Sequence, residues 1–130
     1  MNKLILIALA TCLCGCFADE RTPEQVKAAD DACKADVNCY GPENRVAAGI
    51  YCKDFIQKLG KYSFRWTDGA LESKFSKVDW LNKDKATLSF FGDKIEFQNG
   101  FGAYQPAAYQ CDFDPATNTV LGVRAAPGHV

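Results

Sequence analysis

The spacing of apolar positions changes character twice along the chain. After Lys3, residues Leu4 to Leu13 form an unbroken run of about ten apolar and small residues. That matches the hydrophobic region of a signal peptide and is too short to span a bilayer as a helix. From Thr22 the spacing becomes helical. Thr22-Pro23-Glu24-Gln25 offers a capping threonine, a proline suited to the first helical position and a glutamine at the capping-box position. Val26, Ala29, Cys33 and Val37 then recur on one face, and Asn38 to Pro42 is expected to break this helix. A second helix is predicted from about Pro42 to Leu59. Ala48, Tyr51, Cys52, Phe55, Ile56 and Leu59 share its apolar face, Lys53, Asp54, Gln57 and Lys58 lie opposite, and Gly60 is the expected left-handed C-cap.

Beyond Gly60 the period falls to two. Tyr62, Phe64 and Trp66 alternate with Ser63 and Arg65, as in a half-buried strand. Further extended segments are predicted at 71–80, 86–91, 94–98, 101–105, 108–113 and 119–125. Gly92-Asp93 and Asn99-Gly100 read as two-residue hairpin turns, because glycine supplies the positive φ of primed turns. Helices followed by a run of strands predict an α+β fold: two N-terminal helices packed on a twisted antiparallel meander sheet.

The cysteines add covalent bracing to this picture. Of seven in the chain, Cys12 and Cys14 leave with the signal and Cys16 is acylated or removed, so Cys33, Cys39, Cys52 and Cys111 remain. Four cysteines in an oxidising compartment read as two disulfides with three possible pairings. Cys52 lies on the apolar helix face, and Cys111 points the same way as Tyr109 and Phe113. A Cys52–Cys111 bridge is therefore expected, leaving Cys33–Cys39 to close the turn between the helices. A zinc site is the competing use of these thiols, but no C-x2-C pair survives cleavage and His129 is the one histidine.

Two cleavage readings stand. Leu13-Cys14-Gly15-Cys16 resembles a bacterial lipobox, which would lipidate Cys16; Cys16-Phe17-Ala18 resembles a small-x-small site, with the mature chain starting at Asp19. The expected organisation is a signal peptide over 1–15 (or 1–18), a short tether over 16–22, one α+β domain over 23–126 and a flexible tail over 127–130. As a lipoprotein the chain would sit in the periplasm or on the periplasmic face of the outer membrane, since Phe17 replaces the aspartate that resembles an inner-membrane retention signal. Its contact with the membrane would be the lipid anchor alone. The formal charge is −1, and Lys and Arg are scattered, so nothing points to nucleic acid.

The stretches "YSFRWTDGALESKF", "GDKIEFQNGFGAY" and "YQCDFDPATNTVLGV" together resemble a family of small exported, uncharacterised Gram-negative bacterial proteins. The resemblance covers about residues 30 to 125 and implies a bacterial envelope location. It implies no activity, cofactor or catalytic residue.

Candidate chemistry is sparse. Nucleophilic catalysis needs a base beside the nucleophile, and His129 lies in the terminal "APGHV". Asp112 and Asp114 share one strand face and could serve a small carboxylate-based enzyme, although Asp114-Pro115 equally reads as the start of a turn. Asp30-Asp31 on the first helix has the same standing. The expectation is accordingly a non-enzyme without cofactor or metal. Aromatic residues offer a binding surface instead: Phe97, Phe101 and Tyr104 around "FQNGFGAYQP", extended by Trp66, Phe75 and Trp80 if one sheet face is bare, although the same stretch reads first as a hairpin turn whose aromatics cover the sheet. The leading reading is a periplasmic binding module for an envelope protein or glycan. An inhibitor, immunity or exclusion protein acting on an envelope enzyme, toxin or phage is the alternative.

Overall fold

A computed structural model describes residues 20–130. The signal region, both cleavage sites and Cys16 lie outside the described residues. Helix α1 (Pro23–Ala35) opens with the capping box: Gln25 N–H donates to Thr22 Oγ1 at 3.3 Å, and Thr22 N–H donates to Gln25 Oε1 at 2.9 Å. Its predicted apolar face meets the core only at its far end, where Cys33 and, beyond the helix, Val37 pack against it. No residue of α1 is buried, and Val26 is exposed.

The helix break falls at Asp36 rather than between Asn38 and Pro42. Asp36 is extended and its carboxylate accepts from Asn38 N–H at 2.9 Å, so it ends α1 and starts α2 (Val37–Gln57), which carries Pro42 inside it. Two contacts fix this corner. The Cys33–Cys39 disulfide spans it, and Gly41 lies so close to Val78 that a Cβ there would collide with that side chain. The buried residues of α2 are Tyr40 and Gly41 in its first turns and a narrow stripe beyond them of Ala48, Cys52 and Ile56. Tyr51, Phe55 and Leu59, expected inside, are exposed. Gly60 does not take a left-handed conformation; its missing Cβ makes room for the Phe97 ring.

Five antiparallel strands follow: β1 (Phe64–Trp66), β2 (Lys77–Asn82), β3 (Thr87–Gln98), β4 (Tyr104–Asp114) and β5 (Thr119–Pro127). The order is β1-β3-β4-β5, and β2 pairs with β3 on the edge that β1 also uses. Here the predicted 86–91 and 94–98 are one strand. Gly92-Asp93 is a bulge between Gly92 and Ile95, not a hairpin. Glycine is required because the Lys74 carbonyl and the Tyr109 ring crowd the place of its Cβ. The segments 101–105 and 108–113 likewise merge into β4, and 71–76 stays outside the sheet. The turn at Asn99 is real, but its positive φ belongs to Gly102, and Asn99 Oδ1 accepts from Phe101 N–H and Ala103 N–H at 2.9 and 3.0 Å.

The Cys52–Cys111 disulfide ties α2 to β4 and identifies the sheet's inner face. Phe90 opposite Cys111, Leu88 opposite Phe113, and Ile95 opposite Ala107 share that face and form the core with Phe75 and Tyr109. The outer face carries a polar row beside Phe91 and Ala108. Ser89 Oγ donates to Asp112 at 2.6 Å, Gln110 Nε2 donates to the same carboxylate at 2.8 Å, and Arg124 stands 3.8 Å from it. In the 127–130 segment, Gly128 N–H donates to the Pro106 carbonyl and Val130 N–H donates to Asp93. Among the described residues no helix is long and apolar enough to cross a membrane.

Candidate functional site

The six aromatic residues proposed as a surface do not form one. Trp66, Trp80 and Phe97 lie on the inner face, opposite Ile95, Leu88 and Phe64 respectively, and pack against the core. Trp66 is engaged further: its Nε1–H donates to Gln57 at 3.0 Å, and Lys74 Nζ sits 3.9 Å above its ring. Trp80 stacks on Tyr40, and Phe75 is buried between Phe90 and Tyr109. Tyr104 is on the outer face, capped by the Arg65 guanidinium 4.3 Å from its centroid. Phe101 alone stands free, 99% exposed at the β3–β4 hairpin tip. Period-two spacing put these side chains on a common strip, and that strip is the one the helix needs.

The carboxylates are also engaged. Asp114 holds the turn after β4, accepting from Ala116 N–H at 3.0 Å and Thr117 Oγ1 at 2.9 Å. Asp112 belongs to the outer polar row, and Asp31 pairs with Lys27 at 2.8 Å. His129 faces Asp93 at 3.3 Å. Cys33, Cys39 and Glu43 bring three ligand-type atoms together, but both sulfurs are consumed by the disulfide and are poor donors to a metal.

A different region gathers unsatisfied groups. Between α2 and the loop from Thr67 to Ser76 runs an open groove of about 560 Å³. One wall is α2, which presents Pro42, Arg45, Val46, Gly49, Ile50 and Lys53 at helical spacing. Gly49 leaves a gap in that wall, since a Cβ there would meet nothing within 4 Å. The other wall is the loop, with Ala70 and Leu71. Val46 is 74% exposed, Ile50 68% and Leu71 fully, three large aliphatic groups around one depression. Arg45 Nε is the one buried side-chain nitrogen or oxygen among the described residues that no group of the fold satisfies. An unmet buried donor costs about 1–3 kcal/mol. A smaller cavity of about 330 Å³ beyond the end of α2, lined by Leu59, Phe97 and Pro127 among others, contains no such donor.

The loop wall is held rigidly. Lys74 Nζ reaches both Asp68 oxygens at 3.0 and 2.9 Å, Tyr109 Oη donates to the Lys74 carbonyl, and Ser76 N–H donates to Phe91. Burial pushes the Tyr109 hydroxyl well above the ordinary phenol range, so it keeps its proton as a donor. Glu72 closes the tip by accepting from Gly69 N–H at 2.9 Å and pairing with Lys94 at 3.2 Å. The Gly69 hydrogen bond foremost, then Lys94, hold the Glu72 carboxyl below its ordinary value of 4.5. The tie is thus complete at neutral pH and is lost as pH falls through this lowered value. The Gly69 amide shift, followed by NMR, is expected to titrate with a midpoint below 4.5. A midpoint at or above it would mean that the tip is not closed in solution.

Sequence reading missed the groove because half of it is a loop that had been read as strand 71–80. A signal existed on the helix. Val46 and Ile50 are an i,i+4 aliphatic pair across the helix from the Ala48–Cys52–Ile56 stripe, with a helix-weakening glycine between them. No family model, curated protein or solved structure matches the chain.

Proposed function

We propose that this chain is an exported envelope protein acting as a non-enzymatic binding module, and that the groove between α2 and the 67–76 loop docks a protein partner. One observation carries the reading: exposed Val46, Ile50 and Leu71 ring a preformed depression that Arg45 also lines, without an ion-pair partner among the described residues. Clustered exposed aliphatic groups cost free energy in a free monomer, and a partner that covers them relieves that cost. The two disulfides support an oxidising compartment. A photo-crosslinking residue at Ile50 or Leu71 is expected to trap the same envelope protein in cells, with no adduct from Leu121 and none in a Val46→Asp background. Adducts indifferent to position or to Val46→Asp, or no adducts at all, would remove the reading.

The envelope location rests on the Lys3 and Leu4–Leu13 pattern and on Leu13-Cys14-Gly15-Cys16. Cys16→Ser is expected to abolish lipid labelling and move the protein from the outer-membrane to the soluble periplasmic fraction. A wild-type chain that carries no lipid and begins at Asp19 would replace the lipoprotein reading with a soluble periplasmic one. The inhibitor, immunity or exclusion alternative draws on Phe101, displayed on a hairpin tip braced by Asn99. Crosslinking from Phe101 but not from the groove would favour that alternative.

A further inference from the structure

The groove has a charge character as well as an apolar one. Its acidic groups are already neutralised within the fold, Asp68 by Lys74 and Glu72 by Lys94. Its cations on α2 are not: neither Arg45 nor Lys53 has an ion-pair partner among the described residues. The two lie eight positions apart on α2, which is about 12 Å along the axis, and Val46, Gly49 and Ile50 fall between them. We infer that the groove takes an acidic, apolar polypeptide segment whose carboxylate satisfies Arg45 while its aliphatic side chains cover Val46, Ile50 and Leu71. This rests on the docking reading above and names the chemistry of its partner.

The spacing sets the form of the segment. About 12 Å is spanned by roughly four extended residues, so an acid at each end with apolar residues between them meets Arg45, the gap at Gly49, and Lys53 in order. Guanidinium is the group of choice for binding a carboxylate at a partly desolvated position, because its fixed fork of donors matches the two oxygens. Lys53, more peripheral on the helix, contributes attraction rather than geometry. An anionic membrane surface fits less well. The site is a concave groove between a helix and a loop, and a flat sheet of headgroups does not reach into it as a single extended segment does.

Selection from a random twelve-residue peptide display library, on the disulfide-intact protein, tests this. The same selection is run on Leu71→Asp and Ile50→Asp to block the groove, and on Arg45→Gln and Arg45→Lys. Each variant is first checked for an unchanged melting profile and an intact Cys52–Cys111 bridge. The expected winners on the wild type carry Asp or Glu beside aliphatic residues and vanish on either groove-blocking variant. Their Kd is expected to rise roughly ten- to hundredfold on Arg45→Gln, the range for a hydrogen bond to a charged group, and less on Arg45→Lys. Groove-dependent winners without acids, or indifferent to Arg45→Gln, would overturn the charge inference and leave the docking reading intact. Winners indifferent to Leu71→Asp and Ile50→Asp, or none, would overturn both. Groove-dependent cosedimentation with phosphatidylglycerol vesicles in place of peptide enrichment would also overturn the inference.

Discussion

Replacing Cys52 and Cys111 together by alanine is expected to lower the melting temperature by roughly 15–30 °C, and replacing Cys33 and Cys39 together to lower it by less than half as much. The first bridge closes a sequence separation of 59 and the second one of 6. Chain-entropy reasoning assigns about 4 kcal/mol to the longer loop and about 2 kcal/mol to the shorter. Burial widens the difference. Cys52 and Cys111 are fully enclosed at the contact of α2 with β4, so the alanines also leave unfilled volume. Cys33 and Cys39 are half-buried and attach a helix that has no fully buried residue. Their loss should free α1 locally, seen as early proteolysis before Asp36, while the sheet melts nearly as before. Equal melting shifts for the two pairs would show that α1 contributes to the core in a way its exposure does not suggest.

The Cys52–Cys111 pairing was legible because both cysteines sit inside strong periodic patterns, and Cys33–Cys39 followed as the remaining pair. Cys52 recurs with Ala48 and Ile56 at helical spacing, and Cys111 alternates with Tyr109 and Phe113. The α+β class followed from the same two periods. What was misread depends on contacts that no local period encodes. Gly92-Asp93 carries the chemistry of a hairpin turn, yet the Lys74 carbonyl and Tyr109 arrive from distant positions and make it a bulge within one long strand. Asp36 could restart a helix ahead of Pro42 because Cys33–Cys39 and the Gly41–Val78 contact hold the corner. The aromatic pattern is legible in the sequence, but which face the helix covers is not, and Trp66, Trp80 and Phe97 pack against the core. The candidate site was nearly invisible, since Leu71 has no meaning until the loop is placed beside Val46 and Ile50. Arg45 likewise looks like an ordinary surface cation until its Nε is found buried.

Phe75 and Phe101 separate the two readings of those aromatics most sharply, and Phe75→Ala is expected to destabilise the fold by about 3–5 kcal/mol while Phe101→Ala changes stability by no more than about 0.5 kcal/mol. Phe75 is 1% exposed, its ring 5.3 Å from that of Phe90 and 5.7 Å from that of Tyr109. It is also the residue by which the 67–76 loop enters the core, immediately after the Lys74 carbonyl that Tyr109 holds. Truncating it therefore removes two things: aromatic volume from the core, and the anchor that keeps Leu71 opposite α2. Denaturant unfolding measures the first. The second has its own readout, because a released loop leaves the Thr67, Gly69 and Ser76 amides, which donate to Lys94, Glu72 and Phe91 in the fold, unprotected in hydrogen exchange under conditions where β3 and β4 remain protected. Ile56→Ala, a core truncation away from the loop, serves as the control: it should cost about 2–5 kcal/mol without selective exposure of the loop. If Phe75→Ala and Ile56→Ala deprotected the loop alike, the wall of the groove would be held by global stability alone, and Phe75 would lose its role as the latch.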